Sequence, residues 1–92
     1  MPILDDAKLA LRITGTAYEP EIMRLIEAAK MDLDRVGVDL MNAEAKPLVE
    51  QAILTYVRIN FGSPSDYDKL KISYDEQLLK LKAAGKYRAE VI

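Results

Sequence analysis

Between Pro20 and Gly37, the apolar residues Ile22, Leu25, Ile26, Ala29, Leu33 and Val36 recur at spacings of 3, 1, 3, 4 and 3 residues. That period fits the 3.6-residue turn of an α-helix. A strand, with its period of two, would scatter these side chains over both faces of a sheet. The segment therefore reads as an amphipathic helix over residues 20–36. Pro20 suits its first turn, where a missing N–H is no loss, and Gly37 stands where a left-handed residue ends a helix. Glu21, Glu27, Lys30 and Asp34 fall on the water-facing side, in pairings worth ~0.2–0.5 kcal/mol each. A helix with one apolar stripe has to bury it, so the rest of the chain must supply a partner surface.

Three further segments qualify as helices. The first, residues 4–13, is short: Leu4, Ala7 and Leu11 share a face, Asp5 and Asp6 suit its N-terminus, and Thr14-Gly15-Thr16 reads as its stop. Residues 47–61 follow Pro47, with Leu48, Val49, Ala52, Ile53, Tyr56 and Val57 in a broad arc and Leu54 and Ile59 outside it. The β-branched Val49, Ile53 and Val57 lean toward a strand, but length and the upstream proline favour a helix. Such an all-round apolar helix is central in its bundle or shared with another subunit. In the fourth, Ser63-Pro64-Ser65-Asp66 reads as a capping box with Ser63 as N-cap. The helix should then continue to about Ala84, with Gly85 after its end.

This last helix carries two apolar faces. Tyr67, Leu70, Tyr74, Leu78 and Leu81 fall on one side, and Ile72, Leu79 and Ala83 on the roughly opposite side. So small a domain has no use for both in a single core. The second face points to self-association, with Ile72, Leu79 and Ala83 as candidate subunit-interface residues. Residues 39–46 read as an exposed loop. The expected fold is all-α, a compact four-helix domain over residues 1–85 with one short and three longer helices, followed by a tail over residues 86–92.

Composition narrows the function classes. The 92 residues make one domain, and among them there is no Cys and no His. Thiolate nucleophiles, disulfides, Cys-type zinc sites and the commonest general base are therefore absent. Asp5-Asp6, Asp32/Asp34 and Asp66/Asp68 are carboxylate pairs at spacings that do not share a helix face, none fits a calcium loop, and they read as solvated or capping acids. Gly15 and Gly62 belong to no phosphate-binding motif. The expectation is a non-enzyme with no metal and no cofactor.

Net charge is −2, which disfavours a globally basic nucleic-acid binder, and no uncharged stretch reaches the ~20 residues of a membrane span. The start of the chain lacks the pattern of a signal peptide, so synthesis in the cytoplasm is expected. Lys80, Lys82, Lys86 and Arg88, interleaved with Tyr87, form a basic stretch free of acids between Gln77 and Ala89. It reads first as charge favoured at a helix C-terminus, then as a contact for a protein partner, and last as a DNA contact. Tyr56, Tyr67 and Tyr74 lie on core stripes and read as packing residues with the hydroxyl at an edge; Met31 lies opposite the stripe of its helix and reads as exposed.

The order and punctuation of these segments resemble a known family. An opening helix ends in Leu11-Arg12-Ile13. Glu21-Ile22-x-x-Leu25-Ile26-x-Ala28-Ala29 then leads through Leu33 to Gly37. Later, Ala52-Ile53-x-x-Tyr56-Val57-x-x-x-Phe61-Gly62 runs into Ser63-Pro64-Ser65-Asp66, and the last helix carries Tyr74 and ends at Gly85. This resembles the short head-tail connector, or adaptor, proteins of tailed bacteriophages and prophages, also labelled DNA-packaging proteins. The resemblance implies a homo-oligomeric ring between the capsid portal and a stopper or tail-completion protein, located in the virion, with DNA only passing through its channel. It implies no catalytic residue and no cofactor. It also implies a C-terminal segment that meets the portal, here Lys86, Tyr87, Arg88, Val91 and Ile92. Lys46 before Pro47, where a capping residue is expected, departs from the pattern. The alternatives are a small helical protein-interaction module and a DNA-binding regulator.

Overall fold

A computed structural model describes residues 3–62 and 64–83, the side chain of Ala83 excepted. Its elements are α1 (Ile3–Leu11), α2 (Glu19–Arg35), a single 3₁₀ turn (Ala43–Ala45), α3 (Lys46–Asn60) and α4 (Tyr67–Ala83). The expected all-α, four-helix architecture is the observed one. α3 is the one helix packed extensively against all three others, and α1 also lies along α2. Its sequence explains that position. Val49, Ala52, Ile53, Val57 and Ile59 are all buried, so it offers apolar surface in several directions. Ile59, placed outside the arc by periodicity, is buried because a central helix has neighbours on more than one side.

The period read in α2 is the buried stripe. Ile22, Ile26, Ala29 and Leu33 are fully buried, while Met31 on the far side is 73% exposed. Each large aliphatic buried here stabilises the fold by about 1.5–3 kcal/mol. The helix ends at Gly37, whose φ of 93° lies in the left-handed region. The Gly37 N–H donates to the Asp34 carbonyl and the Val38 N–H to the Leu33 carbonyl, each at 3.0 Å, so two terminal carbonyls are satisfied in a Schellman arrangement. Val38 follows the turn into the core, where it is fully buried.

α1 ends in the same arrangement without a glycine. Arg12 takes φ 58°, its N–H donates to the Leu9 carbonyl, and the Ile13 N–H donates to the Lys8 carbonyl. The helix thus stops at Leu11, two residues before the expected end, with Arg12 in a conformation that costs a non-glycine residue about 1–2 kcal/mol. Two contacts hold the following loop. Lys8 pairs with Glu19 at 2.5 Å, and the rings of Tyr18 and Phe61 meet edge to face at 5.6 Å.

The other departures concern starts. Residues 39–46 are not wholly a loop: Asn42 Oδ1 accepts from the Glu44 N–H and opens the 3₁₀ turn, whose Ala45 is buried. That turn leads into Lys46, so α3 begins without a side-chain cap. α4 begins at Tyr67 rather than at the proposed capping box; Ser65 and Asp66 precede it as a turn. The Leu70 N–H donates to the Asp66 carbonyl at 3.0 Å, so Asp66 stands at the helix entrance, and Arg58 lies 3.6 Å from its carboxylate. Ser63 and Gly85 lie outside the described residues.

Candidate functional site

α4 presents two faces, as its sequence requires. Leu70, Tyr74 and Leu81 are buried against the bundle, with Leu78 half-buried beside them. At about 100° per residue, Ile72 lies opposite Leu81. Ile72 is 60% and Leu79 64% exposed. The outward row is therefore a ridge of two large aliphatic side chains. Asp68 and Glu76 flank Ile72 at i−4 and i+4, and both are exposed. Neither carboxylate has a hydrogen bond or ion pair among the described residues, whereas Asp75 is taken by Lys71 at 3.2 Å. Ala83 falls on the same side of the helix, its side chain outside the description. Tyr67 is half-exposed rather than packed, since the helix begins at that residue and no element covers it.

The proposed portal-contact residues Lys86, Tyr87, Arg88, Val91 and Ile92 all lie outside the described residues. Lys80 and Lys82, at the start of the basic stretch, are exposed on the last turn of α4.

A groove of about 400 Å³ opens on another part of the molecule, with no α4 residue in its wall. Val49 and Ile53 of α3 are its buried floor, Ile3 and Leu40 are half-buried on its sides, and Met41, 90% exposed, stands at its rim. Two cations and one acid, Glu50, border it. Lys30 lies 3.3 Å from Glu27, and Lys46 has no ion-pair partner among the described residues. Three separated chain segments build this groove, so no local period marks it. The one signal in the sequence is the pair of large apolar residues Leu40-Met41 in the connection between α2 and α3.

A second groove, between α2 and α4, is polar. The Tyr74 hydroxyl donates to Asp32 Oδ2 at 2.6 Å and Arg35 donates to Oδ1 at 2.6 Å, while the rings of Tyr74 and Tyr56 meet edge to face at 5.7 Å. Partial burial works to raise the Asp32 carboxyl. The hydrogen bonds from Tyr74 and Arg35 outweigh it and hold the group below the ordinary carboxylate value. Burial, then the bond to Asp32, pushes the Tyr74 phenol far above its usual range, so it stays a donor. Two sequence readings meet here: Tyr74 was expected to pack with its hydroxyl at an edge, and Asp32 to be solvated. The structure makes them a single latch between α2 and α4.

Among the described residues no cluster of three or more acidic, His or Cys side chains is placed to hold a metal, and no helix is long and apolar enough to cross a membrane. What the surface offers is an exposed aliphatic ridge on α4 with charges of both signs beside it, and an apolar groove bordered by Lys30, Lys46 and Glu50.

Comparison with known proteins agrees with that character. A family described as phage connector protein has a model that matches residues 3–88, nearly the whole chain. No curated protein and no solved structure matches it. The four described helices all fall within the matched span, and the chain belongs to the phage connector protein family.

Proposed function

We propose that this chain is a ring-forming structural subunit of the head-tail junction of a tailed phage or prophage. It seats on the portal, receives a stopper or tail-completion protein, and extends the channel through which DNA passes. The observation that carries this reading, beside family membership, is the α4 ridge. A folded monomer has no use for Ile72 and Leu79 in water, whereas a ring subunit needs apolar surface outside its own core. Ile72 and Leu79, with Ala83 on the same side, are the residues assigned to the subunit interface. Lys86, Tyr87, Arg88, Val91 and Ile92 are assigned to the portal contact. The role is mechanical and takes no cofactor, so the virion is its working location.

The test is negative-stain microscopy with mass measurement, on the protein alone and mixed with its cognate portal. Closed rings or portal-capped particles are the expected result. A monomer that ignores the portal would overturn the reading.

A further inference from the structure

α4 lies on α3 through a row that repeats turn by turn: Leu70, Tyr74, the half-buried Leu78 and Leu81, with Tyr67 one turn ahead. Burial of such a row decides which side of the helix faces inward. It decides the position of the helix along its own axis far less well, because apolar burial is not directional. A slide of one turn, about 5.4 Å, sets one large apolar residue where another stood. We infer that the hydrogen bond from Tyr74 to Asp32 is the register lock of α4, the contact that selects one position of this helix over others a turn away. Three observations carry it.

The first is that the bond has no rival. Among the described residues it is the one side-chain hydrogen bond that ties α4 to another helix. Lys71 and Asp75 pair within α4, and Arg58 meets Asp66 ahead of the helix, at 3.6 Å between exposed side chains.

The second is that both ends of the bond are held. Arg35 donates to the other oxygen of Asp32 at 2.6 Å, and the Tyr74 ring rests edge to face on Tyr56. Tyr74 is buried, so a slid helix would leave its hydroxyl without an acceptor and Asp32 without that donor.

The third is that nothing else on the row can take its place. Leu70, Leu78 and Leu81 carry no polar group, and Tyr67, the other phenol, stands two turns away. Gln77 is on this side too, but its Oε1 is out of water with no partner. The register is kept in spite of that orphaned acceptor, so what selects it must outweigh the cost. A single polar contact in an apolar seam is a known physical means of fixing register. The role of Tyr74 and Asp32 is thus to position α4, and with it the height at which Ile72 and Leu79 stand on the surface. The inference goes beyond the ring reading and does not depend on it.

The test is methyl and aromatic NMR on the monomeric protein. In the unaltered chain Leu70, Leu78 and Leu81 should each give one sharp set of methyl signals. In Tyr74→Phe, and separately in Asp32→Leu, those signals should broaden or split, with a second set of at least about one-tenth of the intensity, while those of Ile22 and Leu33 in α2 stay single. Asp32→Asn, which keeps an oxygen acceptor for the phenol, should retain one set. Gly37→Ala serves as the control for stability, since it weakens the fold away from the lock and should leave the α4 signals sharp. Single sharp signals in both Tyr74→Phe and Asp32→Leu would overturn the inference. Equal broadening in Gly37→Ala would overturn it as well, by showing that α4 loosens with any loss of stability. Broadening in Asp32→Asn equal to that in Asp32→Leu would remove the hydrogen bond as the cause. Failure of both Tyr74→Phe and Asp32→Leu to fold would also overturn it, because a register lock leaves the rest of the core intact.

Discussion

α2 and α4 are both 17 residues long, yet they use their apolar residues in opposite ways. In α2 the branched aliphatics converge on one stripe, and its exposed apolar residues are two methionines, Met23 and Met31. In α4 they are divided, with Leu70, Tyr74 and Leu81 inward and Ile72 and Leu79 outward. The stripe of α2 is satisfied by its own chain. The divided pattern of α4 is not, among the described residues. What the contrast teaches is that a helix satisfied by its own fold has one stripe, whereas apolar residues beyond the reach of the core, as on α4, leave surface for the assembly proposed above.

The contrast is broken most severely from the core side. Leu33→Ala should cost about 2–5 kcal/mol in chemical denaturation, since it opens a cavity in a fully buried stripe, whereas Leu79→Ala should stay within about 0.5 kcal/mol. Equal losses from both would mean that the ridge is part of the monomer's core.

The latch between the two helices comes next. Tyr74→Phe removes a donor to a charged acceptor and should cost about 1.5–3 kcal/mol. It should also change the pH dependence at both ends. Asp32 has a folded value below its unfolded 3.8, so its stabilisation is complete above that pH and fades as the solution is acidified through and below it. Tyr74 has a folded value far above its unfolded 10.0, so its contribution is complete below pH 10 and fades as pH rises further. The chain has no histidine, so between these limits stability should be nearly flat. In Tyr74→Phe both the acid and the alkaline falls should become shallower in melting temperature against pH. An unaltered profile would show that the latch contributes nothing.

Helix ends give a smaller, signed effect. Gly37→Ala should cost about 1–2 kcal/mol from the left-handed conformation alone, because a Cβ there meets nothing within 4 Å. Arg12→Gly should go the other way, by up to about 1 kcal/mol, since it relieves the same strain at the end of α1. Loss of stability on Arg12→Gly would indicate that the arginine side chain does something its backbone does not reveal.

The smallest change in the monomer should accompany the largest change in assembly. Ile72→Asp with Leu79→Asp should alter the thermal midpoint by no more than a few degrees and still yield no rings, with or without portal. Rings formed by that variant would remove the ridge from the interface.

Much of this was legible in the residues. The stripe of α2, the four helices, the central place of α3 and both faces of α4 all follow from local periodicity, which depends only on the helical repeat. The start of α4 was not. Ser63-Pro64-Ser65-Asp66 has the composition of a cap, but the chain holds Ser65 and Asp66 in a turn beside Arg58, and the helix opens at Tyr67. Arg12 was equally hidden, because a left-handed arginine leaves no compositional trace where a glycine would. Asp32 was read as a solvated acid since its partner stands 42 residues away.

By itself, then, the sequence determined the helices, their inward faces and the surplus of apolar surface on α4, because each of these is a property of residues within a few turns of one another. Only the tertiary structure decided that Tyr74 closes on Asp32, and that Ile3, Leu40, Met41, Val49 and Ile53 meet in one apolar groove. Such features join segments far apart along the chain, and packing alone brings them together.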